Sequence, residues 1–326
     1  AFTLGFRAGI DSGGARPVMN GMQVNGTLRI LAKTTVKVPQ NNTGIAVGYQ
    51  GNLEVLGSAT ENVTFTSILD DSIDGDTGGD GQTTASPNDG GTAISLGKDL
   101  HVQHATFKNI RTAINGICTW NLASTYRVHD SRFYTPITVN NCQDDDTMDL
   151  KRNRFLVSGN QTPLSVYNSE LSGIAMAGPD ANTFSGTGIR KTLGITNSYV
   201  ATGRTWEMSH EPGAVLVTSN TYVQGTVRLH PGVIVKTPTN QLGWHVEYNA
   251  SFEATGSVVS PVIFTSLKDD SVDGDSGGDG ATTGSSKDAT AIRSYGQTVV
   301  RHSSFRNMNP AVDTSCWGST PGTSLE

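Results

Sequence analysis

The chain has little of what most functional classes require. It carries three cysteines in 326 residues, and none of them shows the CxxC pattern of a zinc site. Charged residues make up only 16% of it, and no lysine or arginine run forms the basic stripe of a nucleic-acid binder. No apolar stretch approaches the roughly 18 residues of a membrane helix, so no membrane span is expected. No segment shows the apolar period of an amphipathic helix, and no signal-peptide pattern opens the sequence. What is abundant is glycine, at 38 residues, with short apolar pairs between turn residues, which is the composition of turn-rich β structure. The net charge of −6 is concentrated in loops at 70–80, 144–149 and 269–279.

The sequence repeats itself. Residues 65–81 read FTSILDDSIDGDTGGDG and residues 264–280 read FTSLKDDSVDGDSGGDG, at an offset of 199. The match extends upstream, where Val24 to Ile30 echoes Val223 to Leu229, and Val36, Pro39, Gly44, Val47 and Tyr49 recur as Val235, Pro238, Gly243, Val246 and Tyr248. Downstream, His104, Phe107, Asn109 and Cys118 meet His302, Phe305, Asn307 and Cys316 at an offset of 198. The counterpart of Cys142 would fall past the last residue. We expect a first unit over 1–199 and a second, shorter unit over 200–326 continuing the same solenoid, taken from a longer protein.

A shorter period lies inside the long one. Alternating apolar pairs fall at Leu28/Ile30, Val36/Val38, Ile45/Val47, Leu53/Val55 and Val63/Phe65, eight to ten residues apart and separated by Gly, Asn, Pro and Ser. These are short strands joined by turns. A second register aligns VQHATF, VHDSRF and LKRNRF on Phe107, Phe133 and Phe155, with Phe184 continuing the series at intervals of 26, 22 and 29 residues. Three such strands make one turn of that length. The arithmetic predicts an all-β fold, a right-handed single-stranded parallel β-helix of roughly a dozen coils, each about 4.8 Å beyond the last. The Phe residues would stack inward, with Ser131, Asn153 and Asn182 stacked beside them. A β-sandwich also has short alternating strands, but it gives no reason for one side chain to recur on this beat.

The run Gly-x-Leu-x-Val-x-Gly-Ser at 51–58, then FTS, then DDS followed by GDTGGDG, resembles bacterial secreted or surface proteins with pectin-lyase-like β-helices. The stretch TYVQGTVRLHPGVIV resembles the strands that begin each new helix unit in those proteins. The resemblance implies that the Asp/Gly loop interrupts the coil and is of a divalent-cation type. The Gly-Asp-Trp that follows the loop in many members is replaced here by Asp89-Gly90-Gly91 and by Asp288-Ala289.

The acidic loops are themselves candidate metal sites. The first offers Asp70, Asp71, Asp74, Asp76 and Asp80, and the second offers Asp269, Asp270, Asp273, Asp275 and Asp279. Close carboxylate pairs repel by about 1 kcal/mol in bulk water, and a hard cation such as Ca²⁺, which takes about 6–8 oxygens, converts that repulsion into binding. The spacing is not that of an EF-hand, because Gly78 stands at the third ligand position and Ala85 where the bidentate Glu belongs. The competing reading is a solvated acidic loop that binds nothing.

Cys118 and Cys142 are 24 residues apart, about one coil, and the coil spacing lies within the roughly 4.4–6.8 Å Cα separation of a disulfide. Two buried, stacked thiols are the alternative. His104, Asp130 and Arg152 form a line along the aligned coils that reads as a polar ladder or a sugar groove. Asp144 and Asp145, in a cluster with Asp146 and Asp149, are weak catalytic candidates, since lyases and hydrolases on such folds need positioned acids. The polygalacturonase Asn-Thr-Asp and pectate-lyase Trp-x-Asp-His signatures are absent.

The expected function is a non-catalytic extracellular or cell-surface module, structural or adhesive, stabilised by calcium. Its partner would be a surface polysaccharide or another copy of the chain end to end. The alternative is a polysaccharide lyase, a glycoside hydrolase or a tail-spike-like carbohydrate binder on the same fold.

Overall fold

A computed structural model of the chain describes residues 2–4, 18–118, 123–314 and 323–325. It divides into two compact units, Ala1–Gly159 and Asn160–Glu326. Short apolar pairs ended by Gly, Asn or Pro leave each strand room for only one inward stripe. The chain therefore turns a corner every few residues and meets its own previous turn.

The first unit has three sheets. One runs in the order Phe2–Leu4, Thr27–Leu31, Asn52–Leu56, Asp99–Gln103, Thr125–His129, Thr147–Lys151. The second contains Thr35–Val38, Val63–Ser67, Ala105–Phe107, Arg132–Phe133 and Arg154–Phe155, and the third Met22–Val24, Thr43–Val47, Gly90–Leu96, Ile110–Ile117 and Ile137–Asn140. The second unit repeats the plan. One of its sheets runs Leu164–Tyr167, Thr192–Thr196, Val215–Ser219, Ile234–Thr237, Val262–Ser266, Ser303–Phe305. Another holds Tyr199–Val200, Thr221–Val223, Leu242–Val246, Thr290–Ser294 and Val312–Thr314. The last holds Thr205–Met208, Thr226–Leu229, Ser251–Thr255, Gln297–Arg301 and Thr323–Leu325.

Strands that neighbour in a sheet come from successive turns of the chain, and their pairing is parallel, as between Leu28 and Leu53 or Trp206 and Val227. A sandwich would be antiparallel. Each unit is thus a parallel β-helix, and the all-β solenoid expected from the strand arithmetic is the observed fold. Among the described residues the one helical turn is the 3₁₀ segment Gly188–Lys191.

Identical positions stack from coil to coil and make the core. Leu28, Leu53, Leu100, Tyr126 and Met148 form one column of the first sheet, and Ile45, Ile94, Ile114 and Ile137 one of the third. The phenylalanine stack includes Phe65 as well as the predicted Phe107, Phe133 and Phe155, with centroids 4.7, 5.0 and 5.4 Å apart. In the second unit Phe264 stacks on Phe305 at 4.8 Å, and Phe184 is buried. Beside the first stack runs a buried polar ladder. Ser131 Oγ accepts the Ala105 amide at 3.0 Å, Asn153 Oδ1 accepts the Ser131 amide at 3.1 Å, and Asn153 Nδ2 donates to the Val128 carbonyl at 2.7 Å. Asn182 is likewise buried in the second unit and donates to the Ala175 carbonyl.

His104, Asp130 and Arg152 occupy corners. Their φ angles are 49°, 52° and 53°, the left-handed region that lets the chain leave the first sheet sharply. Arg152 grips Asp130 through two hydrogen bonds of 2.8 and 3.0 Å. His302 repeats the conformation at φ 46°.

Cys118 and Cys142 are joined by a disulfide with Cα atoms 4.9 Å apart, which staples one coil to the next. Such bonds persist in oxidising compartments, so the pair points to a non-cytoplasmic setting. No helix among the described residues is long and apolar enough to cross a membrane. Cys316 lies outside the described residues.

Candidate cation site

Each acidic loop is an insertion between two strands of one coil. The first leaves Val63–Ser67 and returns at Gly90–Leu96, and the second leaves Val262–Ser266 and returns at Thr290–Ser294. The structure divides the five acids of each loop among different tasks.

The first acid is an anchor. Asp70 is 2% exposed and accepts from Thr66 Oγ1 at 2.5 Å, from Ser72 Oγ and from Asn109 Nδ2 at 3.1 Å, with Lys108 Nζ 3.0 Å away. Burial pushes its carboxyl up, but the hydrogen bonds from Ser72, Thr66 and Lys108 outweigh it and hold the group at about 2. Asp269 repeats the arrangement with Thr265 and Ser271, which overcome burial and keep it below the usual carboxylate range.

The second acid closes the loop. Asp71 Oδ2 accepts the Thr83 amide at 2.6 Å and its hydroxyl at 3.0 Å, and Asp270 Oδ2 does the same for Thr282 at 2.6 and 3.1 Å. In both residues the other oxygen, Oδ1, is buried without a hydrogen-bond partner.

The fourth acid organises the glycines. Asp76 accepts the amides of Gly79, Asp80 and Gly81 at 2.6, 3.3 and 3.0 Å, and Asp275 those of Gly278, Asp279 and Gly280 at 2.5, 3.3 and 3.0 Å. Slight burial pushes both carboxyls up, and these amides more than compensate, leaving both lowered. Gly79 and Gly81 take φ of 72° and 90°, which turns their amides onto Asp76. The third acids, Asp74 and Asp273, are left-handed at φ 63° and 59°, and Asp273 Oδ1 receives Lys191 Nζ at 2.6 Å. Asp80 and Asp279 are exposed.

Beneath each loop lies a fully buried lysine that the acidic motif does not advertise. Lys37 Nζ donates to the Asp70 carbonyl, and Lys236 Nζ donates to the carbonyls of Asp269 at 3.0 Å and Gly274 at 2.7 Å. Burial lowers the Lys236 pKa against the opposing pull of Asp270, Asp273, Asp269 and Asp275. The sequence signal was a lysine at the same place in both repeats, each inside an otherwise apolar strand, Val36-Lys37-Val38 and Val235-Lys236-Thr237.

Of the predicted ligands, Asp71, Asp76 and Asp80 come together, each offering a carboxylate oxygen within 4.8 Å of the others. This group could hold a metal ion. The donors are all hard oxygens, the class that suits Ca²⁺ or Mg²⁺, and the orphaned Asp71 Oδ1 is a buried acceptor that a cation would satisfy. Asp70 and Asp269 stand apart from that task, because their oxygens already serve hydroxyls and, in the first loop, Lys108.

No known protein family, curated protein or solved structure matches the chain. The reading of its sites therefore rests on its own residues.

The remaining candidates sit elsewhere. Asp144 and Asp145 are exposed on the turn before Thr147–Lys151, whereas Asp146 points inward and caps the amides of Ser124 and Gln143 at 2.8 and 2.7 Å. Burial, more than the neighbouring Asp145, raises the Asp146 pKa despite those amides. Asp149 stands on the outward row of the first sheet with Glu54, His101 and Arg127, 3.0 Å from His129 Nε2. Beside that row is a shallow cleft of about 240 Å³ lined by Asn52, Glu54, Asp99, His101 and Arg127. Burial, helped by His129 and Arg127, lowers the His101 pKa. The alternation of polar residues in NLEVL, DLHVQ and TYRVH was the available signal for this row.

Proposed function

We propose that the chain is a non-catalytic extracellular module of the pectin-lyase-like β-helix type, structural or adhesive, stabilised by calcium. The observation that supports this reading best is where the polar residues are spent. Asp70, Asp71 and Asp76, their counterparts Asp269, Asp270 and Asp275, Asp146, Asp130 and the Ser131–Asn153 ladder all hold backbone or neighbouring side chains in place. The two residues suggested as catalytic acids, Asp144 and Asp145, lie exposed on a turn. In this role the carboxylates of Asp71, Asp76 and Asp80 would bind the ion, and calcium would neutralise their repulsion. The partner we favour is a surface polysaccharide, with end-to-end association of copies as the other mode of use.

The test is to challenge the protein with immobilised acidic and neutral polysaccharides. Retention without release of reducing or unsaturated sugars is expected, and turnover would overturn the reading. One observation favours an enzymatic second reading, the outward row of Glu54, His101, Arg127 and Asp149 beside its cleft. In that case His101→Ala would abolish sugar release while Asp144→Asn would leave it intact.

A further inference from the structure

The two acidic loops have nearly the same sequence but different surroundings. We propose that they are not equivalent cation sites: the first takes a divalent cation on Asp71, Asp76 and Asp80, and the second has its positive charge supplied by Lys191 of its own unit. The inference rests on the cation reading of these loops given above, and adds that the repeat has diverged in use.

Three observations carry it. First, Asp71, Asp76 and Asp80 are gathered within 4.8 Å, while among the described residues their counterparts Asp270, Asp275 and Asp279 form no such group. Asp71 is 9% exposed and its Oδ1 has no partner, so a nine-tenths-buried acceptor belongs to the first group.

Second, the second loop has a neighbour in its own unit, with which it lines a cleft of about 440 Å³ that includes Gly188, Lys191, Asp273 and Asp275. The 3₁₀ turn Gly188–Lys191 sits on the loop so closely that a Cβ at Gly188 would lie 2.4 Å from the Asp275 carbonyl oxygen. That turn delivers Lys191 Nζ to Asp273 Oδ1 at 2.6 Å. Asp273 Oδ2 and Asp270 Oδ1 keep no hydrogen-bond donor, and the buried Lys236 ammonium acts on both residues by charge.

Third, the carbonyls that an oxygen-rich coordination shell recruits are engaged in the second loop. Gly278 O accepts Asn160 Nδ2 at 3.2 Å and Ser276 O accepts Thr192 Oγ1 at 3.5 Å, whereas Gly274 O and its counterpart Gly75 O each accept a side chain. The carbonyls of Thr77 and Gly79, the counterparts of Ser276 and Gly278, accept no side chain among the described residues. The first loop is also the more exposed at this point, with Asp76 exposed and Asp275 half-buried.

Hydrogen exchange read separately over residues 68–89 and 267–289, with calcium and with chelator, tests the proposal on the whole chain. At calcium tenfold above the dissociation constant, opening of a cation-binding loop is suppressed about elevenfold. The expected result is a slowing of that size in the first loop, little change in the second, and loss of the first response in Asp80→Asn. In Lys191→Met the second loop should gain a calcium response. Lys191→Gln serves the same purpose if the first variant does not fold. Slowing in both loops of the parent protein overturns the inequivalence, and slowing in the second alone overturns the assignment of the cation to the first; either leaves the cation reading standing. Slowing in neither overturns both.

Discussion

At the scale of single residues, the work of each carboxylate is decided by which donors the backbone brings within reach. Asp70 meets hydroxyls and Lys108, Asp76 meets three amides, and Asp71 keeps one oxygen without a donor. The lysines beneath the loops follow the same logic in reverse. A buried ammonium is tolerated because carbonyls and acids surround it, and removing one partner of a buried ionic arrangement costs about 3–5 kcal/mol. Lys37→Met and Lys236→Met are each expected to destabilise by that order, read from urea unfolding of the variant against the parent. An unchanged midpoint in both would show that the lysines do not hold the loops. Acid should act at the same place. The folded Asp70 value of about 2 lies below its unfolded value of about 3.9, so its contribution is complete above about pH 5 and is lost progressively as pH falls through 4 toward 2. Thermal midpoints measured from pH 6 to pH 2 should fall over that window, and less steeply in Asp70→Asn. Equal slopes would contradict the assignment.

At the scale of elements, stability comes from side chains that repeat one coil later. Phe133 is stacked between Phe107 and Phe155, so Phe133→Ala opens a cavity in the middle of a column and should cost about 3–5 kcal/mol. The Cys118–Cys142 bond closes a 24-residue loop, and its reduction should cost about 3 kcal/mol, visible as a lower unfolding midpoint with reductant. A midpoint indifferent to reductant would mean that the staple adds nothing beyond packing. The strands and this disulfide were legible in the sequence because both follow from one period. Apolar pairs eight to ten residues apart define strands, and the Phe beat defines the coil. Phe65 joined the stack unannounced because the loop inserted after it breaks the beat that revealed Phe107, Phe133 and Phe155. The line of His104, Asp130 and Arg152 was visible, but its meaning was not. Its members share a left-handed backbone angle, and spacing alone carries no sign of φ. The buried lysines escaped for a related reason. Strand 35–38 has the burial of a corner, with Val36, Lys37 and Val38 all inside, which a two-residue period does not anticipate.

At the scale of the whole molecule, the long repeat raises the question of what the acidic loops contribute to stability. Each unit carries one, each loop has the same anchor, closure and glycine nest, and the donor set of Asp71, Asp76 and Asp80 fits a hard cation. The sequence showed that the motif recurs. It did not show that the five acids divide their tasks, because the division depends on Thr83, Thr282 and the lysines, which lie outside the motif. If calcium stabilises the fold, its effect must appear as a linkage between ion concentration and unfolding. At calcium tenfold above the dissociation constant each occupied site adds about 1.4 kcal/mol. For a unit of this size that corresponds to a rise of about 3–6 °C in the unfolding midpoint. Thermal unfolding of the intact chain in calcium and in chelator is therefore the most direct measurement. The account predicts a midpoint higher in calcium by that amount, and a midpoint that does not move between the two conditions would contradict it.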